Sequence, residues 1–257
     1  MQKLESRKKV TVKGKVLGGE KVLSCIPMVS KTMDALLEDT KTIAALKPDG
    51  IEWRIDSFEG AGDAEASVAA LKAIHPLVSD IVVIFTLRHK AEGGAQDLTQ
   101  EQRLATIKAC VETGLVDVVD FELNSNTPEE IQTVRQLCTD NGTALILSAH
   151  NFKETPSEED IMATLEAEQA AGADICKFAV MPKDFDDVLS LMRATYRSRM
   201  GKIEGPIITM SMSETGKITR VIGDSYGSDL SFVLGTEASA PGQIPVKVIN
   251  QLWDLLK

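Results

Sequence analysis

Apolar, β-branched runs of strand length recur eight times along this chain with amphipathic stretches between them, the sequence form of a repeated β-α unit. The runs cover 22–28, 50–56, 81–88, 116–123, 143–150, 174–181, 206–212 and 230–235. The helical stretches cover 32–46, 63–75, 99–113, 128–140, 157–171, 184–200, 214–222 and 243–256. Near-continuous apolar strands imply a parallel sheet covered by helices, and eight units in 257 residues predict an α/β chain closed into a (β/α)8 TIM barrel, one domain spanning 1–257. An open doubly wound sheet is the alternative. It is disfavoured because no strand leads into GxGxxG or a Walker A sequence; Gly18-Gly19 and Gly93-Gly94 are too short to count. The segment Val10-Thr11-Val12-Lys13-Gly14-Lys15-Val16 alternates and has no crossover helix, which predicts an N-terminal β-hairpin closing one barrel end. Thr127-Pro128-Glu129-Glu130 and Thr155-Pro156-Ser157-Glu158 carry capping residues, a rigid φ and first-turn carboxylates, the marks of helix N-termini.

A formal net charge of −10 argues against a nucleic-acid binder, which needs clustered Lys and Arg. A small anion can still be held by a few inward arginines, since the field in a cleft is local. Cys25, Cys110, Cys138 and Cys176 are widely separated and form no CxxC pair, so they read as reduced thiols of a cytoplasmic protein. The polar N-terminus resembles no signal core, and no stretch is long and apolar enough to span a bilayer, which predicts no membrane partner.

Lys177 lies inside Ile175-Cys176-Lys177-Phe178-Ala179-Val180-Met181, an apolar run where a charge is out of place. An enclosed ammonium tends to lose its proton, and a neutral amine can attack a carbonyl to form a Schiff base. The same run is compatible with a lysine that snorkels or pairs with a carboxylate. Of the three histidines, His75 precedes Pro76 at a helix end, and His89 follows the third strand within reach of a ligand. His150 ends Ile146-Leu147-Ser148-Ala149-His150, with Ser148 on its face by period-two alternation. An imidazole there can serve as acid or base, or be a hydrogen-bonded structural group.

Glu52, Arg54 and Asp56 share one face of the second run, opposite Ile51, Trp53 and Ile55, so they must pair with one another or bind something. Arg88 ends the third run and offers a fork for a carboxylate or diol. Glu92 opens Glu92-Gly93-Gly94, where backbone can approach a ligand, and Arg220 follows the seventh run. Met210 and Met212 are either core filler or the wall of a lysine pocket, and Ser239 and Gln243 occupy the loop before the last helix. The three histidines are widely separated and form no HExxH, which argues against a multi-histidine metal centre. Asp120 and Glu122 could hold magnesium, although no phosphate-binding glycines accompany them.

Taken in order, Glu52-Trp53-Arg54-Ile55-Asp56, Phe85-Thr86-Leu87-Arg88 with Glu92-Gly93-Gly94, Ser148-Ala149-His150-Asn151-Phe152, Lys177-Phe178-Ala179-Val180-Met181-Pro182, Met210-Ser211-Met212 and Ser239-Ala240-Pro241-Gly242-Gln243 resemble type I 3-dehydroquinate dehydratase. The resemblance runs over nearly the whole chain. It implies a (β/α)8 lyase of the shikimate pathway that dehydrates 3-dehydroquinate to 3-dehydroshikimate through an imine, with no metal or organic cofactor. It also implies Lys177 as the Schiff-base lysine, His150 as the proton-transfer residue and Glu92 as its catalytic assistant. Glu52, Arg54, Arg88, Met210, Met212, Arg220, Phe232, Ser239 and Gln243 match substrate-pocket positions, Arg220 as partner of the substrate carboxylate. The family commonly forms homodimers. His89 and Ala149 depart from the pattern of some members, where a small hydroxyl residue and a tyrosine occur. A class I aldolase on the same barrel and a non-catalytic ligand-binding barrel are the competing readings.

Overall fold

The computed structural model describes residues 3–235 and 242–256. A short antiparallel hairpin, β1 (Val10–Val12) and β2 (Lys15–Leu17), precedes the repeating units. Its two-residue turn puts Lys13 and Gly14 at φ 47° and 74°, the left-handed pair that suits a tight hairpin. The units follow as β3 (Leu23–Met28), α1 (Met33–Leu46), β4 (Gly50–Arg54), α2 (Ala64–Ile74), β5 (Val82–Thr86), α3 (Gln100–Val111), β6 (Val118–Glu122) and α4 (Pro128–Asn141). They continue as β7 (Ala144–Asn151), α5 (Glu158–Ala170), β8 (Ile175–Val180), α6 (Phe185–Met200), β9 (Ile207–Ser211), α7 (Ser213–Gly216), α8 (Ile218–Ile222), β10 (Leu230–Phe232) and α9 (Val246–Leu256).

The sheet order is β10-β3-β4-β5-β6-β7-β8-β9, every neighbouring pair parallel, so the strands make the predicted TIM barrel. The seam between β9 and β10 is narrow: a bridge between Ile207 and Ser228, with Ser228 Oγ accepting the Thr209 N–H at 3.1 Å. Period-two alternation sorts each strand. Ile51, Trp53, Val83, Phe85, Val119 and Phe121 face the helices in one large core, where Trp53 packs edge-on to Phe85 at 5.7 Å. Leu23, Cys25, Val82, Ile84, Val118, Ile146, Ile175 and Leu230 fill the barrel near the strand starts, and Leu17 of the hairpin joins them as the plug at that end.

A repeated device ties the strand starts together. Asp49, Asp117, Asp174 and Asp229 each precede a strand and accept the backbone N–H of the strand before it, from Ser24, Val83, Leu145 and Ile207 at 2.8–3.0 Å. Each carboxylate also has a cation: Lys15, Lys13, Arg135, and Lys3 with Arg199, respectively. Hydrogen bonds to a carboxylate are stronger than neutral ones, so these aspartates hold the parallel ladder where it would otherwise fray. Both expected helix starts are capped, though in the second the cap is Ser157 and Pro156 precedes it, while Thr155 Oγ1 donates to Met181 O. Thr127 forms a full capping box with Glu130 ahead of Pro128.

Three differences from the expected boundaries move residues that bear on the site. The second strand ends at Arg54 and continues as a 3-10 turn over Ile55–Ser57, so Asp56 does not share the strand face with Glu52. Its buried carboxylate folds back to accept Arg54 in a bidentate pair and the Ala95 N–H at 2.9 Å. The expected helix over 214–222 is two short pieces, α7 and α8, because Thr219 Oγ1 donates to Gly216 O and accepts from Ser211 N, turning the chain between them. The last helix starts at Val246 rather than 243: Leu234 and Pro245 form a parallel bridge, and the Val246 N–H goes to Leu234 O.

Candidate active site

Strand ends from β4 round to β10 and the loops after them enclose a cavity of about 150 Å³ at the face opposite the hairpin. Glu52, Arg54, Arg88, Glu92, His150, Lys177, Met210, Met212, Arg220, Phe232 and Gln243 all line it, together with Gly93, Phe152 and Ala179. Ser239, the remaining predicted site residue, lies outside the described residues. His89 lies off the cavity, where its ring caps the 3-10 turn over Lys90–Glu92 by accepting the Ala91 N–H.

The lysine that looked anomalous in an apolar strand has polar company inside the barrel. Lys177 Nζ donates to Asp120 Oδ2 at 2.6 Å, stands 3.6 Å from Glu52 Oε1 and lies 4.5 Å from the centre of the Phe232 ring. Its neighbours in sequence are apolar because alternate side chains point to the helices, while its own points inward. Asp120 is the principal residue missed in the sequence, where it stood only as a magnesium candidate. Arg88 binds its other oxygen at 2.9 Å, and Ser148 Oγ donates to it at 2.6 Å. Glu122 is likewise taken, by Arg88 at 2.8 Å and by Arg103 at 2.6 Å. These carboxylates are neutralised by three cations rather than arranged around a metal. Burial alone would raise the Asp120 carboxyl, but Arg88 and Lys177 outweigh it and hold it below the ordinary range.

Arg88, read as a ligand contact, lines the cavity while donating to Asp120, Glu122 and Ser148, which fix its guanidinium in the wall. Arg54 is oriented by Asp56 and by Gly93 O. Arg220 is 3% exposed. It donates to Phe232 O at 3.1 Å, and burial holds its guanidinium down at about 10.

His150 stands at the end of β7 with Nδ1 2.9 Å from Glu92 Oε2, while Ser125 Oγ donates to Glu92 Oε1 at 2.7 Å. Burial pushes Glu92 up to about 7, the Ser125 hydrogen bond opposing and the Glu122 carboxylate adding to the effect. Burial pushes the imidazole the other way, below its ordinary value, and the positive charges of Arg88 and Lys177 push it further. The ring of Phe152 stacks on the imidazole, centroids 6.2 Å apart and planes 13° from parallel. Gly93, at φ 86°, permits this: a Cβ there would meet the Phe152 ring at 2.9 Å.

The arrangement is thus an enclosed lysine beside two carboxylates, sharing one cavity with an imidazole that burial pushes toward its neutral form and that pairs with a carboxyl pushed up to about 7. A family model for Type I 3-dehydroquinase matches residues 24–257, nearly the whole chain. The chain belongs to that family. As a type I 3-dehydroquinase it is a hydro-lyase, and its curated relatives carry the name 3-dehydroquinate dehydratase. The protein of that name from Geobacillus thermodenitrificans is 39% identical over 252 residues, covering 98% of this chain and 97% of the relative. The crystal structure of the 3-dehydroquinate dehydratase of Geobacillus kaustophilus superposes with a TM-score of 0.94 at 34% identity, covering 98% of this chain and 97% of that one. That of the Clostridium difficile type I enzyme, with covalently modified comenic acid, superposes at 0.93 and 35% identity, covering 97% of each chain. No helix of the described residues of this type I 3-dehydroquinase is long and apolar enough to cross a membrane.

Proposed function

We propose that this chain converts 3-dehydroquinate to 3-dehydroshikimate through a Schiff base on Lys177, with His150 as general acid and base. The observation that carries the reading is the enclosure of Lys177 and the His150–Glu92 pair in one cavity. Lys177 gives up one proton to its carboxylate neighbour and adds to the ketone carbon; that proton returns to the carbinolamine oxygen, and loss of water leaves an iminium that acts as the electron sink. His150 removes the C2 proton to give an enamine, whose electron pair expels the C1 hydroxyl as His150 returns the proton to it. Water then hydrolyses the conjugated iminium and frees Lys177. Two waters are released and one consumed, the net loss of one. No metal or organic cofactor enters any step. Support also comes from the covalently modified comenic acid of the Clostridium difficile relative, which fits a family that bonds to its ligands. The reading puts the chain at the third step of the shikimate pathway, as a cytoplasmic homodimer; light scattering on the purified protein measures the dimer directly.

The test is ultraviolet detection of the conjugated enone formed from 3-dehydroquinate, combined with borohydride reduction and intact mass measurement. Enone formation with a reduced adduct on Lys177 is expected. A ligand that binds but is fully released, with no enone, indicates the non-catalytic barrel instead.

The Glu92 carboxyl makes a pH prediction. As a carboxylate it accepts the Nδ1–H of His150 and leaves Nε2 free to take a proton; protonated on Oε2, it donates to Nδ1 instead and the imidazole's own proton occupies Nε2. Because Glu92 loses its proton near pH 7, kcat/KM is expected to rise with pH through that region. Glu92→Gln is expected to flatten the rise and lower kcat by roughly tenfold or more. An acidic limb unchanged in this variant would assign it to another group.

Arg220→Ala is expected to raise KM for 3-dehydroquinate roughly ten- to a hundredfold, the worth of about 1.5–3 kcal/mol for a hydrogen bond to a charged group. The burial of Arg220 and its bond to Phe232 O mean that the thermal midpoint should fall as well. Calorimetry beside steady-state kinetics separates the two effects, and an unchanged KM would remove Arg220 from carboxylate binding.

A further inference from the structure

Glu168, on the barrel-facing side of α5, is fully buried, and its Oε2 accepts the backbone N–H of Lys177 at 2.9 Å. The four aspartates at the strand starts make the same kind of bond, each with a cation beside it. Glu168 differs in both respects. It meets its strand at the cavity lysine rather than at a strand start, and none of the ion pairs among the described residues includes it. Its other oxygen, Oε1, has no hydrogen-bond partner among them either. The lysine's ammonium turns away, to Asp120 and Glu52. A buried carboxyl without a cation is costly, and burial pushes this one well above the ordinary carboxylate range. A group that breaks the pattern of its four counterparts at such cost, against the backbone of one particular residue, marks a function at that residue.

We propose that Glu168 is a positioning residue for Lys177, fastening its backbone to the helix layer so that Nζ stays aimed at the substrate carbonyl. This rests on the Schiff-base reading above. The bonds that aim Nζ in the free protein cannot all persist through the reaction, because an iminium nitrogen keeps a single N–H, to be shared between Asp120 and Glu52. Four side-chain torsions separate Nζ from the backbone, so with fewer bonds at the nitrogen its placement depends more on the Lys177 backbone. The Glu168 bond to the main chain is independent of the chemistry at Nζ and persists through every intermediate.

The experiment is time-resolved borohydride trapping with 3-dehydroquinate, followed by intact mass, on the unmodified protein, Glu168→Gln and Glu168→Met, with kcat and KM measured in parallel. The amide oxygen of glutamine can accept the same bond, so Glu168→Gln is expected to form the imine within about threefold of the parent rate. Methionine fills the space without an acceptor. Its variant is expected to form the imine and turn over roughly ten- to a hundredfold more slowly, the scale of a misplaced reacting group, while KM changes by less than about threefold. Should Glu168→Met fail to fold, Glu168→Asp replaces it, since a side chain one methylene shorter withdraws the carboxyl from the N–H and should slow the imine similarly. Imine formation at the parent rate in the variants lacking the bond, or a glutamine variant as slow as they are, overturns the proposal. Enone formation by the unmodified protein with no adduct on Lys177 removes the Schiff-base reading and this inference together.

Discussion

Lys177→Met is expected to lower kcat by roughly a thousandfold or more, the usual consequence of removing a covalent nucleophile, and to abolish the borohydride-trapped adduct. The variant should fold. Methionine has nearly the length of lysine and suits a strand whose neighbours are Cys176 and Phe178. The carboxylates left behind keep other donors: Asp120 retains Arg88 and Ser148, and Glu52 retains Thr86 at 2.9 Å. Removing one member of a buried ion pair is costly when the other is stranded, so these remaining donors limit the damage to a lower thermal midpoint. Enone production near the parent rate, or an adduct on another lysine, would overturn the assignment of Lys177.

His150→Ala separates the two halves of the chemistry. It should lower kcat by about a hundred- to ten-thousandfold, the range for a positioned acid-base group, yet still accumulate the imine, because Lys177 and its two carboxylates are untouched. Intact mass after borohydride treatment should therefore show substantial adduct in a nearly inactive protein. Glu92 loses its partner at Nδ1 but keeps Ser125, so the loop carrying it stays anchored. Phe152 loses the ring it stacks on, and its side chain is already 46% exposed. Normal turnover in this variant would make His150 a structural group and send the search to Glu92.

The two predictions draw on different parts of one electrostatic layout. Lys177 sits at the end of a buried chain of alternating charge, Arg103 to Glu122 to Arg88 to Asp120 to Lys177, each link at 2.6–2.9 Å. The His150–Glu92 pair lies beside the chain without an ion pair to it, and its two groups are pushed toward their neutral forms. A cavity that keeps charge around the amine and neutrality around the proton carrier suits a reaction that forms a cationic iminium and then shuttles one proton.

Much of this was legible in the sequence, for a local reason. Strand and helix periods are written residue by residue, so the eight units, the hairpin, the Thr127 and Ser157 caps and the inward facing of Glu52, Ser148, His150 and Lys177 follow from spacing alone. Charges inside apolar runs marked the barrel interior, Lys177 most plainly. Period-two alternation says which way a side chain points but not what it meets. Asp120 reaches Lys177 from 57 positions away and Glu92 reaches His150 from 58. Those distances closed only when the strands took their order around the barrel, and with them Asp120 changed from a magnesium candidate to the partner of the lysine. Asp56 left its strand face because its carboxylate was drawn to Arg54 and Ala95, and Arg220 became buried because the chain turns at Gly216 and Thr219. The sequence by itself determined the units, their faces and the incongruous residues, since these depend on neighbours in the chain. The pairings, the burial and the shifts toward neutrality were decided by the tertiary structure, since they depend on distances through space between residues that the chain keeps far apart.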